Sequence, residues 1–174
     1  HLQRIPQAWL DRKTYIFLHP PGHVCICGTK GACCRAGRQI IVDTYGGCIS
    51  HGCGVFSGKY PTKVDRSAAY FARFAAKNLV AAGIAERLHI QVAYSIGSLQ
   101  PVSINVNSFG TGTIPEAKIE KLLRKEFDFS PGGIIDELDL RRPIYQQTTA
   151  YGHFGRTDLK LPWEETKRAK KLAA

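Results

Sequence analysis

A glycine-rich segment, residues 44–63, holds the residues of this chain whose types and spacing best suit chemistry on a charged ligand. Lys59 and Lys63 bring positive charge to the segment, and Asp65 follows closely. A carboxylate is a hard oxygen ligand suited to Mg²⁺. Glycines let backbone N–H groups approach an anion closely. The segment therefore indicates a nucleotide site; its glycines are Gly46, Gly47, Gly52, Gly54 and Gly58.

Two other interpretations of this segment are possible. The P-loop pattern needs a glycine five residues before Gly58 and a serine or threonine after Lys59. The chain has Cys53 and Tyr60 there, so the P-loop is rejected. Taken alone, Asp65 is an ordinary helix cap or dipole partner, because aspartate is common near helix starts. Its catalytic interpretation depends on the neighbouring lysines.

The predicted secondary-structure elements around this segment indicate an α+β fold, with helices packed on one face of a mixed sheet. One helix carries Arg66, Arg73 and Lys77 on one face and alanines over much of the remainder. The sequence predicts that this helix ends at Gly83. Residues 143–162 read as irregular. The predicted strands are 14–18, 40–43, 88–96 and 102–109, and the predicted helices are 65–82, 115–127, 130–138 and 163–173.

The amino-acid composition restricts the classes of protein to which this chain can belong. The net charge of +10 suits either a polyanion partner or a solvated basic surface, and we interpret the basic run 167–171 as a solvated tail. No apolar run reaches the roughly 18 residues that span a membrane.

Six cysteines, all between 25 and 53, indicate reduced thiols in a cytoplasmic protein, with zinc a weaker alternative. Because the chain contains no methionine, even at position 1, we expect it to be part of something longer.

Several long segments resemble the S-adenosylmethionine synthetase (methionine adenosyltransferase) family, and they occur in the family's order. The resemblance covers about residues 8–166 and is strongest for the C-terminal portion of the family. The central match is Gly37-Arg38 through Gly46-Gly47, continuing from His51 to Ser67. Further matching segments are 94–97, 143–156 and 162–164.

The resemblance implies that the chain takes part in S-adenosylmethionine synthesis from ATP and L-methionine. In that reaction the methionine sulfur attacks C5′ of ATP, and the tripolyphosphate leaves and is cleaved to phosphate and pyrophosphate. It also implies Mg²⁺ and K⁺ as cofactors. The implied roles are catalysis for Lys59, Lys63 and Arg38, ATP binding for Gly22, Arg38, Lys59 and Ile96, methionine binding for Lys63, and Mg²⁺ ligation for Asp65.

The resemblance also implies an architecture. Family members are homo-oligomers whose subunits have three similar α/β modules about a pseudo-threefold axis. By this comparison residues 1–63 end the preceding modules and include the phosphate loop, and residues 64–174 form the C-terminal module. The expected partners are a second synthetase subunit or an N-terminal half, with no nucleic acid and no membrane.

The sequence departs from the family at four positions near the implied site. Val24 replaces an aromatic residue, Ala32 an aspartate and Gln39 a lysine, while Cys53 interrupts a run of glycines. Nothing in the 174 residues resembles the family's N-terminal half, so we expect the chain alone to be inactive. Two other interpretations stay open. They are a degenerate, non-catalytic module that binds or regulates a partner and, less favoured, a nucleic-acid binder that uses the basic charge.

Overall fold

A computed structural model describes residues 6–14, 43, 50–52 and 56–173. Within them, the regular elements are two strands and four α-helices. In chain order they are α1 (Val64–Ala81), β1 (His89–Ala93), β2 (Ser103–Asn107), α2 (Glu116–Glu126), α3 (Pro131–Glu137) and α4 (Ala169–Leu172). Single 3₁₀ turns lie at Gln7–Trp9, Gln146–Thr148 and Pro162–Glu164. The predicted strand 14–18, apart from Thr14, and residues 40–42 of the next lie outside the described residues.

The α+β class is confirmed. Strands β1 and β2 pair antiparallel, with Ile90 opposite Val106 and Val92 opposite Ile104. Along β2 the residues alternate as predicted: Ile104 and Val106 are buried, while the polar residues between them are exposed. The buried pair joins the core that α1 and α2 also line. In the described part of the chain the sheet is antiparallel and two-stranded, so the parallel pairing that a mixed sheet needs is not seen there.

Helix α1 supplies the centre of the core and matches its predicted range to within one residue. Its buried residues include Tyr70, Phe71, Phe74 and Leu79. The helix ends where Gly83 adopts a φ of +77°, a left-handed conformation that glycine reaches without steric cost. The chain then turns back toward β1, which lies against α1. Helices α2 and α3 also begin and end close to prediction, and the Ser130 hydroxyl accepts from the backbone N–H of Gly133 at the start of α3.

The prediction of one terminal helix over 163–173 is wrong for most of that range. A 3₁₀ turn covers Pro162–Glu164, and a single helical turn, α4, begins only at Ala169. Long-range contacts with α1 hold the non-helical chain between them. The Asn78 side chain donates to the Glu165 carbonyl at 3.0 Å and accepts from the Arg168 backbone N–H at 2.8 Å. Tertiary hydrogen bonds have therefore replaced the helical ones that local sequence favours.

The C-terminal basic run is not the freely solvated tail that its composition suggested. Arg168 and Lys167 both pair with Glu137, at 2.6 and 3.3 Å. Lys171 pairs with Glu126 at 2.6 Å. These carboxylates belong to α3 and α2, so the run fastens the end of the chain to the domain. In the part of the chain that the structure describes, no helix has the length and apolarity that a membrane crossing requires.

Candidate phosphate-binding site

The predicted site residues Lys59 and Asp65 lie together at the start of α1. A turn brings Lys59 toward the helix: its backbone N–H donates to the Phe56 carbonyl at 3.1 Å, and Gly58 within the turn has a φ of +83°. Lys59 Nζ lies 2.8 Å from Asp65 Oδ2, with side-chain exposures of 25% and 61%. The structure therefore holds a cation and a carboxylate side by side, both open to a ligand.

Lys63 occupies the residue just before α1, and its side chain is exposed. Its carbonyl accepts from the backbone N–H groups of Arg66 and Ser67, at 3.0 and 3.1 Å. Asp65 sits in the first turn, where a negative charge interacts favourably with the helix dipole. Asp65 can thus stabilise the start of α1 and still offer its carboxylate to a metal ion.

Arg66 fixes the loop from behind. Sequence reasoning placed it with Arg73 and Lys77 on one cationic face and gave it no role in the site. In the structure it is buried. Its Nη1 donates to the Lys59 carbonyl at 3.0 Å, and its Nε donates to the Tyr70 hydroxyl at 3.1 Å. The only signal in the sequence was its position seven residues after Lys59.

Tyr70 continues this hydrogen-bonded network into the core. Its hydroxyl lies 2.7 Å from His153 Nδ1. Since the Tyr70 oxygen already accepts from Arg66, its own hydrogen is available to Nδ1, which fits a neutral ring protonated at Nε2. Burial raises the pKa of Tyr70 to about 12, although the nearby Arg66 charge acts in the opposite direction. Tyr70 therefore stays protonated and can serve as the donor.

Asp43 is the last residue of the network and comes from the predicted strand 40–43. Its Oδ2 accepts from the His153 backbone N–H at 2.8 Å. The neighbouring Gly152 has a φ of +87°, and a Cβ there would lie 2.5 Å from Asp43 Oδ1. A side chain at this position would thus clash with the carboxylate. Gly152 is required by both the turn and the close approach of Asp43.

His153 should make the free energy of unfolding depend on pH. Burial lowers the pKa of His153 below its ordinary 6.5, assisted by Arg66 and opposed by Asp43. Because the folded-state pKa lies below the unfolded one, the unfolded state binds more protons as the pH falls below 6.5. We therefore expect the free energy of unfolding to decrease as the pH falls from 6.5 toward the depressed value.

The measurement is urea unfolding at about pH 7.5 and about pH 5.5, for wild type and His153→Gln. The variant should lose less stability between the two conditions, because no imidazole remains to be protonated. His51→Gln is the matched control, since the His51 side chain is exposed. An acid-side loss in His153→Gln as large as in the wild type would contradict the prediction.

A cleft of about 1000 Å³ opens beside these residues. The alanine face of α1 forms one wall and strand β1 forms another, and Asp43, Asp65 and Ile96 also line the cleft. Ile96 lies in the turn after β1, with 82% of its surface exposed. The cleft thus brings Asp65 and Ile96 to one opening.

Arg38 and Gly22 lie outside the described residues, as do Val24, Ala32, Gln39 and Cys53, at which the sequence departs from the family. The roles of all these positions remain predictions. The zinc alternative also rests on cysteines outside the described ranges.

The Mg²⁺ prediction depends on the oxygen donors near the start of α1. Among the described residues, no group of three His, Cys, Asp or Glu side chains is arranged to hold a metal ion. Asp65 offers a single exposed carboxylate beside Lys59. Mg²⁺ commonly uses one or two carboxylates together with substrate phosphates, rather than an all-protein cage. One exposed carboxylate fits that mode of binding only where a phosphate ligand supplies further oxygens.

Comparison with known proteins defines the class. The sequence model of the S-adenosylmethionine synthetase C-terminal domain matches residues 26–165. That range covers most of the chain and includes Lys59, Lys63, Asp65 and the network around Arg66. The chain belongs to the S-adenosylmethionine synthetase family.

Particular relatives support the same assignment. The chain is 55% identical over 168 residues to the S-adenosylmethionine synthase of Clostridium tetani (strain Massachusetts / E88) and 56% identical to that of Clostridium botulinum (strain Alaska E43 / Type E3). In each case the match covers 97% of this chain and 43% of the relative. A solved structure described as an unusual S-adenosylmethionine synthetase from Campylobacter jejuni is similar with a TM-score of 0.70 and 34% identity, over 74% of this chain and 34% of that one. The chain thus spans less than half the length of the curated relatives it matches.

Proposed function

We propose that this chain is the C-terminal part of a methionine adenosyltransferase, which makes S-adenosylmethionine from ATP and L-methionine. The observation that carries the proposal is the 55% identity to an S-adenosylmethionine synthase over 97% of the chain. The Lys59–Asp65 pair adds a chemical reason, because it places a cation and a potential metal ligand where a polyphosphate can reach both.

The reaction separates charge onto its leaving group. As the methionine sulfur bonds to C5′ of ATP, the C5′–O bond breaks and the tripolyphosphate takes the electron pair. Cations fixed in advance near that oxygen favour the transition state over the ground state. Lys59 and Arg38 are proposed to hold the phosphates, and Lys63 to bind methionine and contact phosphate. Gly22 and Ile96 are proposed to contact ATP.

The Lys59–Asp65 ion pair can exchange partners cheaply when a ligand arrives. Exposed pairs contribute about 0–1 kcal/mol, and Asp65 is mostly exposed. A bound polyphosphate would take Lys59, and Asp65 would be free to ligate Mg²⁺. Bound Mg²⁺ would neutralise phosphate charge. The pair therefore keeps both groups in place without holding them tightly.

The remaining parts of the proposal follow from the family. K⁺ is a second cofactor, for which no ligand is assigned. The partners are a second synthetase subunit, in a homo-oligomer, or an N-terminal part of the same enzyme. The setting is cytoplasmic. The N-terminal part is needed because the chain spans only 43% of its curated relatives.

A non-catalytic function is the second candidate, and the sequence departures at Val24, Ala32, Gln39 and Cys53 favour it. In that case the chain binds a synthetase partner and stabilises or regulates it. The two candidates differ in whether the chain completes a site. A chain that binds the partner without enabling product formation would be a regulatory module.

The test is complementation with the N-terminal part of the Clostridium tetani relative. We expect no S-adenosylmethionine from the chain alone with ATP, methionine, Mg²⁺ and K⁺, and product from the mixture. Lys59→Ala should abolish the product, because it removes the cation that pairs with Asp65 and is proposed to hold the phosphates. Lys171→Ala is the matched control, since Lys171 pairs with Glu126 and is remote in sequence from the loop.

Tripolyphosphate binding by calorimetry gives a second readout on the chain itself. Losing a charge-assisted contact costs roughly 1.5–3 kcal/mol, which is about 10-fold or more in affinity. Lys59→Ala should show that loss and Lys171→Ala should not. Equal losses of affinity in the two variants would indicate diffuse charge attraction and count against the site.

In the complementation assay, rapid product formation by the chain alone would contradict the need for a partner.

A further inference from the structure

We propose that Arg66 is a positioning residue that sets the affinity for polyphosphate by fixing the backbone of Lys59. The inference rests on the proposed function of Lys59. Arg66 is 4% exposed, so it acts from beneath the loop and not on a ligand directly.

Three contacts hold the Arg66 guanidinium in one orientation. Nη1 donates to the Lys59 carbonyl at 3.0 Å, and Nε donates to the Tyr70 hydroxyl at 3.1 Å. The guanidinium carbon lies 4.2 Å from the centre of the Tyr145 ring. A planar fork with several N–H donors can make these contacts at once, whereas a lysine ammonium cannot. The residue is therefore matched to the Lys59 carbonyl by shape as well as by charge.

Burying Arg66 at this position is energetically unfavourable for a residue with only a structural role. Among the described residues it forms no ion pair with a carboxylate. Its Nη2 is buried without a hydrogen-bond partner there. Burying a cation with incomplete pairing is unfavourable, and a hydrophobic side chain would fill the space at lower cost. The Tyr145 ring offsets this cost only in part, so the buried guanidinium is best explained by the bond that it donates to the Lys59 carbonyl.

The same contacts fix the conformation of Lys59 before a ligand binds. With its carbonyl held by Arg66 and its N–H held by Phe56, the Lys59 backbone is fixed on both sides. The side chain then starts from a defined point next to Asp65. Fixing a binding group before the ligand arrives raises affinity because less conformational freedom is lost on binding.

A double-mutant cycle on tripolyphosphate binding tests the inference, using the full chain. Losing one backbone hydrogen bond is expected to weaken binding about 3- to 10-fold in Arg66→Met. Lys59→Ala should weaken it about 10-fold or more. If Arg66 acts through Lys59, the double variant should bind no more weakly than Lys59→Ala alone.

Two further variants keep the test sharp. Arg66→Lys retains the charge but loses the fork, and it should show the same loss as Arg66→Met even if the latter folds poorly. Arg124→Met is the control: it removes a cation of α2 that pairs with Glu120 and does not line the cleft, so it should change affinity less than about twofold.

The outcomes separate the inference from the proposed function. Additive losses from Lys59→Ala and Arg66→Met would overturn the role of Arg66 while leaving the Lys59 site intact. Wild-type affinity in Arg66→Lys would also overturn it, by showing that charge alone suffices. A wild-type chain that binds no tripolyphosphate, or binds it equally well without Lys59, would overturn the site and this inference together.

Discussion

Replacing Trp163 with alanine should lower the free energy of unfolding by about 3–5 kcal/mol, the usual cost of removing a large buried aromatic side chain. Trp163 is fully buried, and its ring stacks on Tyr70 with a centroid separation of 3.9 Å. Its Nε1 donates to the His153 carbonyl at 2.8 Å. The substitution therefore leaves both a cavity and an unpaired carbonyl. Urea unfolding followed by far-ultraviolet circular dichroism measures the change.

The chain offers a matched control for this experiment. Trp9 is the other of its two tryptophans and is 77% exposed. Trp9→Ala should change the free energy of unfolding by less than about 0.5 kcal/mol, as exposed substitutions usually do. Similar losses in the two variants would mean that the stack on Tyr70 does not anchor the C-terminal segment.

Replacing Glu164 with alanine should lower the free energy of unfolding by about 2–4 kcal/mol, because removal of this carboxylate, whose side chain is only 9% exposed, leaves its cationic partners uncompensated. Glu164 accepts from Arg73 Nε and Nη2, both at 3.1 Å, and from Lys77 Nζ at 2.7 Å. The Gly155 backbone N–H donates to it as well, at 2.9 Å. The range is set below that of a fully buried pair because Arg73 and Lys77 remain partly exposed.

The stabilisation of the folded state by Glu164 should also be lost in acid. Burial acts to raise the pKa of Glu164, but the hydrogen bonds from Arg73 and Lys77 outweigh it, so the net pKa lies below the ordinary 4.5. The stabilisation is therefore present above that value and is lost as the pH falls through the depressed folded-state pKa. Glu165→Ala is the control, because the Glu165 side chain is exposed. Equal losses at positions 164 and 165 near neutral pH would contradict the assignment.

The sequence was sufficient for elements that local pattern determines. The range of α1, its end at Gly83 and the two faces of β2 follow from periodicity and from the conformations that glycine allows. Ser130 before Pro131 likewise predicted the start of α3. These features depend on residues within about one helical turn of each other, so no distant partner is needed to see them.

The parts that sequence reasoning missed depend on partners far along the chain. Arg66 had the spacing of a surface cation, and only the folded structure shows that it lies under Lys59 and Tyr145. The segment after Trp163 had a helical pattern, but it bonds to Asn78 instead, whose side chain donates to the carbonyl of Glu165, 87 residues further along the chain. Asp43 and His153 are 110 residues apart. No local pattern identifies such pairs, so the network behind the loop could not be derived, whereas the Lys59–Asp65 pair spans only six residues.

The contacts between α1 and the C-terminal segment also set the order in which the domain can form during synthesis. Arg73 and Lys77 precede Glu164 by 91 and 87 residues. At about 5–20 residues per second, α1 leaves the ribosome roughly 4–18 s before its partner is made. Through that interval the face of Tyr70 that will hold Trp163 is bare. During the same interval Arg73 and Lys77 lack the Glu164 carboxylate that neutralises them in the folded domain.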